Sequence, residues 1–211
     1  MNDFYNELER LLKENKKEDA VTLTVKAFEE GLNPIDFYQD GVRTILNRID
    51  CKDDDYACIW LEHQMSAIVR TLIELSYQYL IQSIEPIKKT KHVLVVCPKD
   101  EHHELGALIG AHFFTKAGFK TTFIGANTPL DTIHSALDTL TIDYVVLSVS
   151  NSYHLVETKK VVSHIKDHFK TVKVIGAGRG FTLNEDYFSS LLDGIVNDYA
   201  SILTFKEKEG L

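Results

Sequence analysis

From Phe4 to about Ile84 the apolar residues recur three and four positions apart, and no stretch alternates with the two-residue period of a strand. This spacing predicts four helices. The first carries Phe4, Leu8, Leu11 and Leu12; the second carries Ala20, Leu23, Ala27 and Phe28 and stops at Gly31, a residue suited to a left-handed cap. Asn33-Pro34-Ile35-Asp36 then supplies an N-cap, a proline at the first helical position and an acid in the first turn. The third helix presents Phe37, Val42, Ile45, Leu46 and Ile49. The acidic run Asp53-Asp54-Asp55 precedes the fourth, where negative charge favours a helix amino end; metal binding by these aspartates is the alternative reading. On the fourth helix Leu61, Met65, Ile68, Leu72, Leu75 and Tyr79 make one seam. Residues 1–86 therefore read as a four-helix bundle.

The period changes near Glu85-Pro86-Ile87-Lys88-Lys89-Thr90, which we take as a linker. Beyond it, from 91 to 211, apolar runs alternate with helical patterns. HVLVVCP, KTTFIG, DYVVLSVS and TVKVIGAG are four strands, and a short fifth follows near 194–196. Helices are expected at 104–117, 129–140, 155–169, about 185–192 and from about 199. Strands and helices in strict alternation imply an α/β fold, a flavodoxin-like, doubly wound parallel five-stranded sheet that binds ligands at the carboxyl ends of its strands.

Composition narrows the function. The chain has 211 residues and 31 acidic against 23 basic side chains, with no basic run longer than a pair, which argues against direct nucleic-acid binding. No segment resembles a signal peptide or a membrane span, so a cytoplasmic location with no membrane partner is expected. Cys51, Cys58 and Cys97 form no CxxC pair, and reduced, structural thiols are expected.

The candidate chemistry lies at the strand ends. The first strand runs into Cys97-Pro98-Lys99-Asp100-Glu101-His102-His103-Glu104-Leu105-Gly106. His103, Gly106 and Gly110 lie three and four apart, so a helix from 104 would set the imidazole over a stripe of small residues. Glu101 is placed to accept the proton of the other ring nitrogen and fix the tautomer, as carboxylates do behind metal-bound histidines. The residues alone leave open a solvated loop whose histidines do nothing. Zinc fits poorly, because adjacent His102 and His103 cannot easily face one ion and no third ligand stands at useful spacing. Ser148 and Ser150 end the third strand, and Gly176, Gly178 and Gly180 end the fourth; turn chemistry accounts for each of these by itself. A dinucleotide fingerprint is excluded by position and by Phe181, and no phosphate loop occurs. Glu62 and His63 follow the single tryptophan, Trp60, on the fourth helix.

In this order the segments resemble the cobalamin-binding module of a four-helix cap and a Rossmann-like domain, as in methionine synthase, corrinoid methyl carriers and light-sensing MerR-type repressors. The family's D/E-x-H-x-x-G appears as Glu101-His102-His103-Glu104-Leu105-Gly106, with glutamate first as in the photoreceptor branch. The resemblance implies that His103 is the lower axial ligand to cobalt, replacing the cofactor's dimethylbenzimidazole. It implies also that the displaced tail enters a slot lined by Ser148, Ser150, Gly176 and Gly178. Phe123 to Pro129 looks like the family's second strand and turn, Glu29 to Pro34 like its helix junction. Glu62-His63 matches a pair over the upper face of the corrin. Lys52 stands where the photoreceptor branch has a tryptophan ten positions before that pair, with Trp60 two positions away from it; Ala177 replaces the first of two glycines, and Ser150 a leucine. The resemblance thus implies adenosylcobalamin or methylcobalamin, upper ligand open, without implying a light response. The bundle begins at about residue 3 and leaves no room for a helix-turn-helix, so the expected role is a non-enzymatic sensor acting through a protein partner or as a homo-oligomer. The alternatives are a corrinoid carrier subunit of a methyltransferase system and a diverged haem-sensing or interaction module.

Overall fold

A computed structural model describes residues 2–49, 51, 52, 54–84 and 91–211. The expected linker and Asp53 of the acidic run lie outside the described residues. The chain divides into two compact units, Met1–Ile84 and Glu85–Leu211.

The first unit is helical. It comprises α1 (Asn2–Lys13), α2 (Lys17–Glu29), α3 (Pro34–Asp36), a π-helical turn (Phe37–Val42), α4 (Arg43–Asn47) and α5 (Tyr56–Gln82). Local signals work as the sequence indicates: Asn33 Oδ1 accepts from the amide of Ile35 at 2.8 Å, and Asp55 Oδ1 from that of Cys58 at 3.0 Å. Gly31 takes φ +98° beyond α2. The π turn was not anticipated. It sits where Gly41 faces the Tyr5 ring, and a Cβ at Gly41 would collide with that ring. Widening the helix there brings Phe37, Tyr38 and Val42 all into the core. The Tyr38 hydroxyl pairs with Ser76 Oγ at 2.7 Å, and Ser76 Oγ also donates to the carbonyl of Ile73, so this polar pair is satisfied inside. On α5 the buried face is wider than one seam, taking in Val69, Ile73 and Leu80 beside Met65, Ile68 and Leu72.

Cys51 and Cys58 form a disulfide, which corrects the expectation of three reduced thiols; Cys97 is free and buried. The pair escapes a motif search because its seven-residue separation spans a loop and the first turn of α5, and the Asp55 cap folds one back onto the other. Closing so short a loop restricts the unfolded chain by about 2 kcal/mol. Reduction, or Cys51→Ser, is expected to lower the urea stability of the helical unit by about that amount, read from denaturation curves with and without a dithiol.

The second unit holds β1 (His92–Val96), α6 (Leu105–Lys116), β2 (Lys120–Phe123), α7 (Leu130–Thr139) and β3 (Tyr144–Ser148). A 3₁₀ turn (Ser152–His154), α8 (Leu155–His168), β4 (Lys173–Ala177), α9 (Arg179–Thr182), α10 (Glu185–Phe188), β5 (Gly194–Val196) and α11 (Tyr199–Lys208) complete it. The strands are all parallel, in the order β2-β1-β3-β4-β5. β1 and β3 are buried at every position, which is why they read as unbroken apolar runs. One helix was expected near 185–192; α10 stands there but ends at Phe188, and a further short helix, α9, precedes it. Asn184 separates them, its Nδ2 donating to the Gly180 carbonyl at 2.8 Å. Among the described residues no helix is long and apolar enough to cross a membrane.

Candidate functional site

The loop after β1 is built around one carboxylate. Glu101 has no exposed surface, and its two oxygens serve different partners. Oε1 accepts from the amide of His103 at 2.9 Å and from His103 Nδ1 at 2.7 Å; Oε2 accepts from the amides of Ser150 at 2.7 Å and Asn151 at 3.2 Å. Burial alone would raise this carboxyl's pKa. The His103 side chain and the three amides outweigh it and hold the group down to about 2. An ionised carboxylate only accepts, so His103 Nδ1 carries a proton, and in the neutral ring the lone pair is on Nε2. The side chain of His103 is 63% exposed. The carboxylate therefore fixes both the orientation and the tautomer of the imidazole, and ties the β1 loop to the end of β3.

The chain after β2 clasps the same loop. The Asp100 amide donates to Asn127 Oδ1 at 2.9 Å, the Asn127 amide to the Glu101 carbonyl at 2.9 Å, and the Ala126 amide to Glu104 Oε2 at 3.1 Å. Pro98 and Thr128 form an isolated parallel bridge. Asp100 and Asn127 both take positive φ, +70° and +48°, a conformation that their short polar side chains tolerate. Cys97 lies beneath, its thiol pushed up to about 12 by burial and by the charges of Glu101 and Glu104, so it is held as an unreactive thiol.

Gly106 and Gly110, one and two turns beyond His103, would each place a Cβ in open space. Neither position is closed off by a neighbouring side chain. Ser148 is buried, with its hydroxyl by the Cys97 thiol; Ser150 is exposed and contributes its backbone amide rather than its side chain. The register places Ser148 beside Ala177. At Gly176 a Cβ would sit 2.8 Å from Leu192 and 2.9 Å from Phe181; at Gly178, 2.6 Å from the Val149 carbonyl. Both glycines are thus required by close approach of the chain to itself. Glu62 and His63 belong to the helical unit, on α5, half-buried and exposed respectively; Trp60, also on α5, is exposed. The sequence reading missed Asn151 and the clasp formed by Asn127 and Glu104. Asn151 announces itself only as the cap of the 3₁₀ turn, its Oδ1 accepting from Tyr153.

As a site for a metal-centred ring cofactor, this donor set fits in one respect that can be tested on the structure: a single imidazole with its tautomer fixed from behind, beside glycines that leave open surface. Among the described residues no three His, Cys, Asp or Glu side chains gather to hold a metal ion by themselves.

The chain is 30% identical over 87 residues to the HTH-type transcriptional repressor CarA of Myxococcus xanthus, a match that takes in 41% of this chain and 29% of the repressor. Its fold is similar to that of the monomethylamine corrinoid protein of Methanosarcina barkeri, with a TM-score of 0.79 at 11% identity over 97% of each chain. It is also similar, at a TM-score of 0.51 and 14% identity, to the methanol:cobalamin methyltransferase complex MtaBC of Methanosarcina barkeri, covering 99% of this chain and 80% of that one. The family model described as B12 binding domain matches residues 91–202, more than half of the chain, and the protein belongs to that family.

Proposed function

We propose that the chain binds a cobalamin with the nucleotide base detached and His103 as lower axial ligand, and acts in the cytoplasm as a non-catalytic sensor read by a partner protein. The supporting observation is the buried Glu101 carboxylate on His103 Nδ1, which leaves the lone pair on the nitrogen of an exposed ring. Gly106 would lie beneath the corrin, and Ser148, Ser150, Gly176 and Gly178 would line the path of the tail. Glu62 and His63 would serve the upper face. When bound, cobalamin supplies a cobalt centre whose upper ligand is exchangeable. The protein's own part is to hold the imidazole, exclude other orientations and keep the proton on Nδ1.

A second reading, a corrinoid carrier working with a methyltransferase, is favoured by the likeness to the monomethylamine corrinoid protein over nearly the whole chain. Reconstitution with hydroxocobalamin, methylcobalamin and adenosylcobalamin separates the two. The sensor reading expects a spectrum or oligomeric state that changes with the upper ligand and no methyl transfer to a thiol acceptor in the presence of a methyltransferase; turnover there would favour the carrier. For the axial ligand, His103→Ala is expected to shift the visible spectrum and weaken binding about tenfold or more. An unchanged spectrum with unchanged affinity would remove the ligand assignment.

A further inference from the structure

Three histidines of the α/β unit stand in mutual contact on two neighbouring helices. His134, on α7, places Nδ1 2.8 Å from Nε2 of His164 on α8, and its own Nε2 lies 3.2 Å from Asp138 Oδ2. His168, one turn on from His164, stacks on it with ring centroids 4.2 Å apart, and its Nδ1 lies 2.9 Å from the His164 carbonyl. Phe169 closes the cluster edge-on to His134 at 5.0 Å.

The bonding pattern assigns the protons. A carbonyl only accepts, so His168 Nδ1 is protonated, and of His134 Nδ1 and His164 Nε2 one donates and the other accepts. While both rings are neutral, one proton is shared across that contact. All three rings are satisfied while neutral. One added proton, on the other nitrogen of whichever ring donates, leaves that hydrogen bond in place. A further proton on the accepting nitrogen removes the acceptor and sets two donors against each other across 2.8 Å, and His168 stacks on His164 at 4.2 Å, where two charged rings would repel. The nearby carboxylates, Asp131 and Asp138 on α7 and Asp167 on α8, favour protonation; burial and the neighbouring rings oppose it, and at His164 the opposition prevails and its pKa is lowered. The nitrogens do not converge as a metal site would require.

We propose that this cluster is a pH-responsive latch joining α7 to α8, closed at neutral pH and released when the rings are forced to take up a second and third proton in mild acid. Its position gives it a reach beyond its own helices. α7 follows directly on Thr128, whose amide is bound to the Cys97 carbonyl, and α8 follows the segment whose Ser150 and Asn151 amides hold Glu101. The latch thus joins the helices that continue two of the loops surrounding His103. It rests on the α/β unit alone and does not depend on cobalamin.

The sign follows from linkage. A histidine whose folded pKa is lowered binds fewer protons than in the unfolded chain, so stability is full above the unfolded value near 6.5 and is lost as pH falls through it towards the folded value. His92 and His112 are also buried with lowered values, and they contribute equally in a variant that leaves them intact. The test is urea denaturation of the full chain between pH 7.5 and 5, with imidazole C–H resonances followed by NMR, in the unaltered protein, His134→Gln and His168→Gln. The unaltered chain should show coupled titrations within the cluster, with His164 lowered from the ordinary histidine value. Its folding constant should fall more steeply than in either variant, by about tenfold per pH unit for each proton excluded. Three independent, uncoupled curves, or the same slope in all three proteins, would overturn the latch.

Discussion

Glu101→Gln is expected to lower the stability of the α/β unit by about 2–4 kcal/mol at neutral pH and to abolish much of its acid dependence. The wild-type carboxylate receives four hydrogen bonds in a site with no exposed surface. An amide keeps one oxygen and turns an NH2 group towards the donors on the other side, so the two hydrogen bonds on that side are lost and donors face donors. The pH window follows from the shift. A carboxyl held at about 2, against an unfolded value near 4.5, contributes stability that is complete above about pH 5 and lost as pH falls towards 2. That loss is about 3 kcal/mol in the unaltered protein and absent in the variant. Hydrogen exchange gives a local readout, since the amides of His103, Ser150 and Asn151 should lose protection together while the strand amides of β1 keep theirs. Equal stability and an unchanged acid profile would mean that the carboxylate does not hold the loop.

This carboxylate was half legible. The two-residue spacing of Glu101 and His103 carries a specific geometry, a side chain reaching back to the ring that follows it, and the structure has that bond. The other oxygen's partners are backbone amides of Ser150 and Asn151, about fifty residues away, and an amide has no side-chain signature. The same asymmetry runs through the fold. β1 and β3 were legible because a strand buried on both faces must be a continuous apolar run. The division of α9 from α10 was not, since it depends on Asn184 turning its side chain to the Gly180 carbonyl. Nor was the π turn, because Phe37, Tyr38 and Val42 fit an ordinary helical stripe about as well; only Gly41 hints that another ring must pass close by. The disulfide was missed for a related reason, since a pair seven apart becomes adjacent only once Asp55 has capped α5.

Gly178→Ala and Gly106→Ala are expected to change stability in opposite directions, and the contrast bears on what the glycines are for. Gly178 has φ +94°, unfavourable for any side chain, and a Cβ there would lie 2.6 Å from the backbone oxygen of Val149. Val149 cannot yield easily, because its amide is bound to the Ala177 carbonyl at 2.9 Å and its carbonyl to the Gly180 amide at 2.9 Å. The ends of β3 and β4 must therefore separate, at a cost of about 2–4 kcal/mol. Gly106 lies in the first turn of α6, and a Cβ there meets nothing within 4 Å. Alanine should stabilise the apo chain by about 0.5 kcal/mol through its better helix propensity. If a corrin lies against that surface as proposed, the same methyl group should weaken cobalamin binding while it strengthens the fold. Thermal denaturation of the apo variants and equilibrium titration with cobalamin, run side by side, decide it. Tighter or unchanged binding by Gly106→Ala would move the corrin away from α6, whereas weaker binding in a more stable protein has no explanation in folding and would place the ligand over that glycine.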